Sequence, residues 1–493
     1  MKQELGLYIT FLLYILFILG VGIYFYKKSK GTLATYFLAD RNVNPYVTAL
    51  SAQASDMSAW LFMSLPAAAY LFGYQAAWIA IGLFIGTVAN WELIAKRMRN
   101  FSYIFGESIT VPQYIENRFG GKSPILRLVC AIIILFFFLL YVASGYSAEA
   151  KLFEEVFGID YQTGLFLGAT IILFYTFIGG FLAVCWTDFY QGILMFATLI
   201  AVALILYTQI TATEVKEITS ATFVTKSLFS NDISWGTILS GLSWGLGYFG
   251  MPHIIVRFMS IRSSREVRTS KRIAYIWVGI SLLAAIAIGI LGKPYLIGEG
   301  ITYVNQTQAE KLFIYLSTTL FNPWISGILI SAILAAIMST ISSQLLVMGS
   351  AMVSDIYSHI NSKSGNQENM LLSRMSIILI TLLALVIAWN PNNSVMSFVS
   401  YAWSGFAATF APVILLSLHW RRMTMRGAIS GLIVGAIAVI TWESLSMEAH
   451  TELSATLPSF ALSSATIIIA SLLDKRPTSE IIDKFNQSAI ASK

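Results

Sequence analysis

The sequence predicts an all-α polytopic membrane protein that crosses the bilayer about thirteen times, and three observations predict it. Of its 493 residues, 57% are hydrophobic and only 11% are charged, whereas soluble domains run near a quarter charged. A soluble chain of this composition would lack the polar surface needed to dissolve. The apolar residues also come in long blocks, among them Leu7–Tyr26, Leu126–Tyr141, Phe189–Tyr207, Leu371–Trp389 and Leu457–Leu473, which carry almost no charge. Blocks of roughly 17–25 such residues match the hydrocarbon thickness. Third, one set of loops with the C-terminal tail holds 25 Lys and Arg, and the alternate set holds 6: Lys2, Lys151, Lys216, Lys226, Lys293 and Lys311. An imbalance that alternates loop by loop is the positive-inside rule. It places the N-terminus outside and the C-terminus in the cytoplasm of a cell (plasma or inner) membrane. It also accounts for the formal charge of +6 without a nucleic-acid partner.

The spans follow in order. The first, 7–26, starts too early to follow a basic n-region and runs into Lys27 and Lys28 without a small-residue cleavage pattern. It reads as a retained helix, with an inner loop to residue 47. Next come 48–72 and 75–95 on a very short link, then 126–149 beyond the basic loop Lys96–Arg127. A second closely linked pair, 164–182 and 188–207, precedes the stretch 208–236. Spans 237–256 and 274–292 flank the basic segment Arg257–Arg272, and 293–321 leads to 322–348. Both outer stretches are moderately polar and too short for a domain of ordinary size. Spans 371–389 and 393–418 form a third short-linked pair, and 427–443 and 457–473 end a single transmembrane domain over 1–473. The polar tail 474–493 reads as cytoplasmic.

Three spans make poor lipid-facing helices. In the second, Gln53, Ser55, Asp56 and Ser58 form a polar cluster. Exposing Asp56 to lipid would cost several kcal/mol, roughly 2.5–3.5 on insertion scales, so it faces protein or a water-filled cavity. Two roles stay open for it: a structural carboxylate bonded to backbone or hydroxyls, or a group for coupling and binding. The seventh span carries Gly245, Gly247, Gly250 and Pro252 beside Trp244 and Tyr248. Proline removes a donor and clashes with the preceding turn, and glycine permits irregular dihedrals. One reading is a proline kink with close packing. The other is a broken helix whose free carbonyls, tolerable only against protein or a cavity, suit a cation. The ninth holds hydroxyls at Ser339, Thr340, Ser342 and Ser343. These either bond back to the helix and aid packing or, at Ser339 and Thr340, offer neutral oxygens to a hard cation. Asp188 stands at an inner boundary and Arg41 lies on the same side, each an interfacial charge or a group that attracts a cation or gates an inner vestibule.

Chemistry of other kinds finds little support. Cys130 and Cys185 lie in or at the ends of apolar segments and give no disulfide framework. His253, His359, His419 and His450 show no metal-ligand spacing. No nucleophile–base pair suggests an enzyme, and no selectivity-filter repeat suggests a channel.

Four strings carry a resemblance: TALSAQASDMSAWLFMSLP (48–66), YTFIGGFLAVCWTD (175–188), WGLGYFGMPHIIVRFMS (244–260) and AAIMSTISSQLL (335–346). Through them the chain resembles the sodium/solute symporter family over nearly its whole length. The resemblance implies a LeuT-type core of two inverted five-helix repeats, 48–207 and 237–418, each opening with a broken helix, plus extra helices at 1–47 and 427–473. Substrate and ion bind between such repeats. It implies Na⁺ as the coupling ion, at the carbonyls of Ala54, Met57 and Ala336 and the hydroxyls of Ser339 and Thr340. It implies L-proline as the solute, with Ser58, Trp60, Tyr141, Trp244, Tyr248 and Pro252 at its site, and coupling or gating roles for Arg41, Asp56 and Asp188. No organic cofactor or obligate protein partner is implied; the partners are solute, ion and lipid bilayer. The chain departs from the family's proline-carrier pattern at Ala59 and Ser64, where glycine is usual, and at Ser343, where cysteine is usual. Another small organic solute and proton coupling through Asp56 stand as alternatives.

Overall fold

The structure, a computed structural model, describes residues 2–28, 33–121, 124–210, 233–358 and 366–492. Among these, helices account for all regular structure but one isolated parallel bridge, Val43 with Ile261. In chain order the principal helices are α1 (Lys2–Lys28), α2 (Pro45–Met57), α3 (Ser64–Phe72), α4 (Ala77–Asn90), α5 (Pro124–Phe157), α6 (Tyr161–Gly179), α7 (Phe181–Gln209) and α8 (Trp235–Ser243). They continue with α9 (Pro252–Ser260), α10 (Val267–Gly298), α11 (Pro323–Ser350), α12 (Asn366–Ile387), α13 (Val395–His419), α14 (Met425–Ser444), α15 (Thr456–Leu473) and α16 (Ser479–Ala491).

Among the described residues, ten helices are long and apolar enough to cross a membrane. The difference from thirteen spans has a structural cause. The predicted spans 48–72 and 237–256 are broken into α2 and α3, and into α8 and α9, with 3₁₀ turns at Ala59–Leu61 and Trp244–Phe249 between the halves. The stretch Ala59–Ile104 counts once although it holds parts of two predicted spans, and the fifth span is represented by the shorter apolar helix Tyr161–Phe174. Local chemistry sets several starts. Asn44 caps α2 by accepting from Val47 N–H at 2.9 Å, and Asn322 caps α11 in the same way, each with proline next. A side-chain cap followed by proline at the first helical position satisfies or removes the orphan donors there.

The core lies where the broken helices meet. Helix α2 packs against α7, α9, α10 and α11, while α8 and the 244–249 turn pack against α4 and α13. Every residue from Leu329 to Ser350 of α11 is buried. At the periphery, α1 turns Leu12, Leu13, Leu16 and Phe17 outward, each more than half exposed, as a lipid-facing helix does. Helices α14 and α15 pair with each other on the outside of α13, and α16 lies on Lys96–Ile104.

Candidate functional site

The site grows from the end of α2. A helix leaves its last four carbonyls without intrahelical partners. Here the helix stops because Ser58 takes φ 46°, ψ −171°, and the Ser58 Oγ then accepts from Trp60 N–H at 3.1 Å to start a 3₁₀ turn. Side chains from other helices take up two of the freed carbonyls. The Ser339 hydroxyl of α11 donates to the Ala54 carbonyl at 2.8 Å, and the Tyr141 phenol of α5 donates to that of Asp56 at 3.3 Å. Ser339 also lies 3.1 Å from the Ala336 carbonyl, to which Thr340 Oγ1 donates at 3.0 Å. Four of the five expected ion ligands, Ala54, Ala336, Ser339 and Thr340, thus form one hydrogen-bonded oxygen cluster. The fifth, Met57, is the last residue of α2, one turn beyond Ala54. All five are buried. Neutral oxygens in a dry interior are ligands for a hard cation.

Beside the cluster lies a cavity of ≈10 Å³, about one water in volume, whose lining includes Asp56, Trp60, Tyr141, Trp244, Tyr248 and Trp403. A second of ≈10 Å³ is lined by Ser58, Tyr141 and Thr340 among others. Five of the six expected solute residues therefore line these two cavities. Pro252 does not; it is buried at the first position of α9, where the broken helix resumes. The Asp56 carboxyl and the Tyr248 hydroxyl both line the first cavity.

Trp60 stacks on Trp244 (centroids 5.3 Å, 29°) and places its indole N–H 3.1 Å from the Met396 sulfur. Trp244 and Met396 also line a vestibule of ≈710 Å³ with Phe72, Gln75, Thr237 and Glu452. The indole–thioether contact thus separates vestibule from cavity. Behind it, buried Glu310 accepts from Lys151 Nζ (3.0 Å), the Ser394 hydroxyl (3.1 Å) and the backbone N–H groups of Val395 (3.2 Å) and Met396 (3.0 Å).

The expected coupling residues separate. Asp188 is not an interfacial charge: it is wholly buried in α7, where it accepts from the Ser51 hydroxyl (2.7 Å) and pairs with Arg257 (2.9 Å). Ser51 lies one turn before Ser55 on α2, and Ser343, which also accepts from Arg257, lies one turn after Ser339 on α11. The pair, from α7 and α9, is therefore joined through Ser51 and Ser343 to the two helices that carry the oxygen cluster, one helical turn from it. Arg41 belongs to another network. It donates to the Ser102 hydroxyl (2.9 Å) and to the carbonyls of Met259 (3.0 Å) and Ser108 (2.6 Å). Burial pushes its guanidinium down to about 10, which leaves it charged at neutral pH.

Sequence reasoning missed Arg257, Glu310 and Trp403. Arg257 and Lys151 count in the sequence as loop charges, yet both are buried. The available signal for Arg257 is its setting in the apolar run Ile254–Met259. For Trp403 there is no signal beyond its size.

The sodium:solute symporter family matches residues 36–435. The high-affinity proline transporter PutP of Bacillus subtilis (strain 168) is 44% identical over 469 residues, 94% of this chain and 97% of that protein. The sodium/proline symporter of Staphylococcus aureus (strain Newman) is 40% identical over 479 residues, 95% of this chain and 93% of that protein. Among solved structures, a Na⁺-coupled sialic acid symporter in its substrate-bound outward-open state gives a TM-score of 0.77 at 21% identity, over 96% of this chain and 99% of that one. MhsT in complex with L-phenylalanine gives 0.52 at 16% identity, over 86% and 97%. These structural likenesses concern the fold, and they bear out the all-helical architecture expected from the sequence.

Proposed function

The chain belongs to the sodium:solute symporter family, and on that premise we propose that it imports L-proline across the cell membrane, driven by Na⁺, through alternating access. The observation that carries this reading is the shared origin of both sites in one helix break. Ala54 at the end of α2 joins the oxygen cluster of α11, while Asp56 and Ser58, two and four residues on, line the cavities. An ion that fixes the end of α2 also fixes the cavity wall.

In this reading, Na⁺ binds first and the hydroxyls of Ser339 and Thr340 turn from carbonyls to the ion. Met57 supplies a further carbonyl, and Asp56 balances the charge at short range. The solute then spreads Trp60 from Met396 and lies against Trp244 and Tyr248, its charged ends on exposed backbone and polar groups. The vestibule faces outside and Arg41 closes the inner end, with the N-terminus outside, the C-terminus cytoplasmic and the repeats at 48–207 and 237–418. Coupling follows because ion and solute prefer the same conformations, so each raises the other's affinity by one shared factor. The names of two relatives, 40–44% identical over almost the whole chain, support proline as the solute.

Equilibrium binding of labelled proline to the purified protein tests this reading. The apparent Kd falls as Na⁺ replaces K⁺ at constant ionic strength and pH, and excess unlabelled proline displaces the label. Proline binding that ignores Na⁺, or none at any Na⁺ concentration, contradicts it.

A further inference from the structure

The break between α8 and α9 is braced from outside. Trp403, on α13, is 3% exposed and lines the same cavity as Trp244 and Tyr248. Its indole N–H donates to the Trp244 carbonyl at 2.7 Å. Its ring lies roughly parallel to Trp244, at 6.2 Å and 27°, and edge-on to Tyr248, at 5.3 Å and 90°. Gly247 makes this possible: a Cβ there would fall 2.2 Å from Cε2 and Nε1 of the Trp403 indole. The indole therefore fills the place of a side chain that the broken helix lacks, and it fixes both aromatic walls at once.

The two tryptophans that reach the cavity from outside this break differ in their hold. Trp60 gives its N–H to a thioether, a weak acceptor. Trp403 gives its N–H to a backbone carbonyl and is locked against a glycine. Trp60 is the more weakly held wall and Trp403 the more firmly held one.

We propose that Trp403 is the specificity-determining residue of the solute site, holding Trp244 and Tyr248 in place and setting the largest ring the cavity admits. This rests on the reading of that cavity as the proline pocket. The consequence is ring-size discrimination by a rigid back wall. One methylene in such a pocket is worth about 10–200-fold in preference.

The test is competition against labelled proline at saturating Na⁺, using unlabelled proline and its six-membered homologue pipecolic acid on the purified protein. Wild type prefers proline by about ten-fold or more. Trp403→Leu lowers that ratio several-fold or reverses it, whereas a bracing role alone would weaken both ligands equally. Gly247→Ala, whose Cβ would meet the indole at 2.2 Å and displace it, changes the ratio, and does so far less in the Trp403→Leu background. If Trp403→Leu is not obtained folded, Gly247→Ala alone decides by whether the ratio moves. A wild-type ratio in both variants, or equal effects of Gly247→Ala in both backgrounds, overturns the proposal while proline binding by wild type stands. Absence of proline binding by wild type instead removes the premise, and the proposal with it.

Discussion

Ser339 and Thr340 each offer one oxygen to the cluster at the end of α2, and the groups around them on α11 are mostly apolar. Removing either hydroxyl deletes a hard ligand without adding bulk or charge, and the site has no ready substitute. Thr340→Ala and Ser339→Ala should each raise the Na⁺ concentration for half-maximal proline binding by about ten-fold, the scale of one hydrogen bond to a charged group. Proline affinity at saturating Na⁺ should return towards wild type, because neither hydroxyl lines the cavity of Trp244 and Tyr248. Sodium titrations of proline binding that overlay wild type for both variants would remove the ion site from these residues. Arg257 makes a different case. Its pairing with Asp188 is enclosed on all sides, and breaking a buried pair from one side costs about 3–5 kcal/mol. Arg257→Gln should lower the thermal midpoint by several degrees or more, and Asp188→Asn added to it should recover part of the loss. Equal midpoints for the single and double variants would contradict this account of the pair. The sequence shows Ser339 and Thr340 as an adjacent hydroxyl pair whose ion role only the family resemblance implies, and it hides Arg257 and Lys151. Positive-inside counting assigns every basic residue near a span end to a loop, and only packing reveals a guanidinium drawn one or two turns into the bundle.

Helix α4 meets the first half of the second broken helix through glycine on both sides. A Cβ at Gly82 would fall 2.5 Å from the Gly241 carbonyl oxygen, and one at Gly86 would fall 2.4 Å from the Gly245 Cα. Small residues spaced by four on facing helices allow backbones to approach in a membrane, where packing rather than hydrophobicity drives association. Any side chain here pushes α8 and the 244–249 turn outward, and Trp244 goes with them. Gly86→Leu should therefore abolish proline binding and lower thermal stability, and Gly86→Ala should reduce both to a lesser degree. Gly20→Ala, at an α1 position with nothing within 4 Å, should leave both unchanged. Normal binding by a well-expressed Gly86→Leu variant would refute the close contact. The two broken helices were unequally legible. Gly245, Gly247, Gly250 and Pro252 announce the second break by their own conformational rules. The first has neither glycine nor proline at its centre: Ser58 holds φ 46°. Such a backbone is sustained by tertiary contacts at its flanks, among them Trp60 on Trp244 and Tyr141 on Asp56, and no local pattern encodes those. It was anticipated only through the family resemblance.

At the scale of the molecule, groups far apart in sequence meet in two hydrogen-bonded networks. Lys151, Glu310 and the start of α13 meet beside the vestibule, and Arg41 joins Ser102, Ser108 and Met259 elsewhere. Long-range hydrogen bonds of this kind have no local sequence pattern, which is why apolar blocks revealed the helices and not these networks. Transport by such a device draws on the ion gradient and on the membrane potential, about 2.3 kcal/mol per charge per 100 mV. The central claim is that Na⁺ moving inward drags proline with it, and the direct measurement is labelled-proline uptake by purified protein in liposomes at fixed pH. With an inward Na⁺ gradient the account predicts transient accumulation above the outside concentration, enhanced by an inside-negative potential and collapsed by a Na⁺ ionophore. An overshoot driven by a proton gradient without Na⁺, or uptake that only equilibrates whatever the Na⁺ gradient, would contradict it.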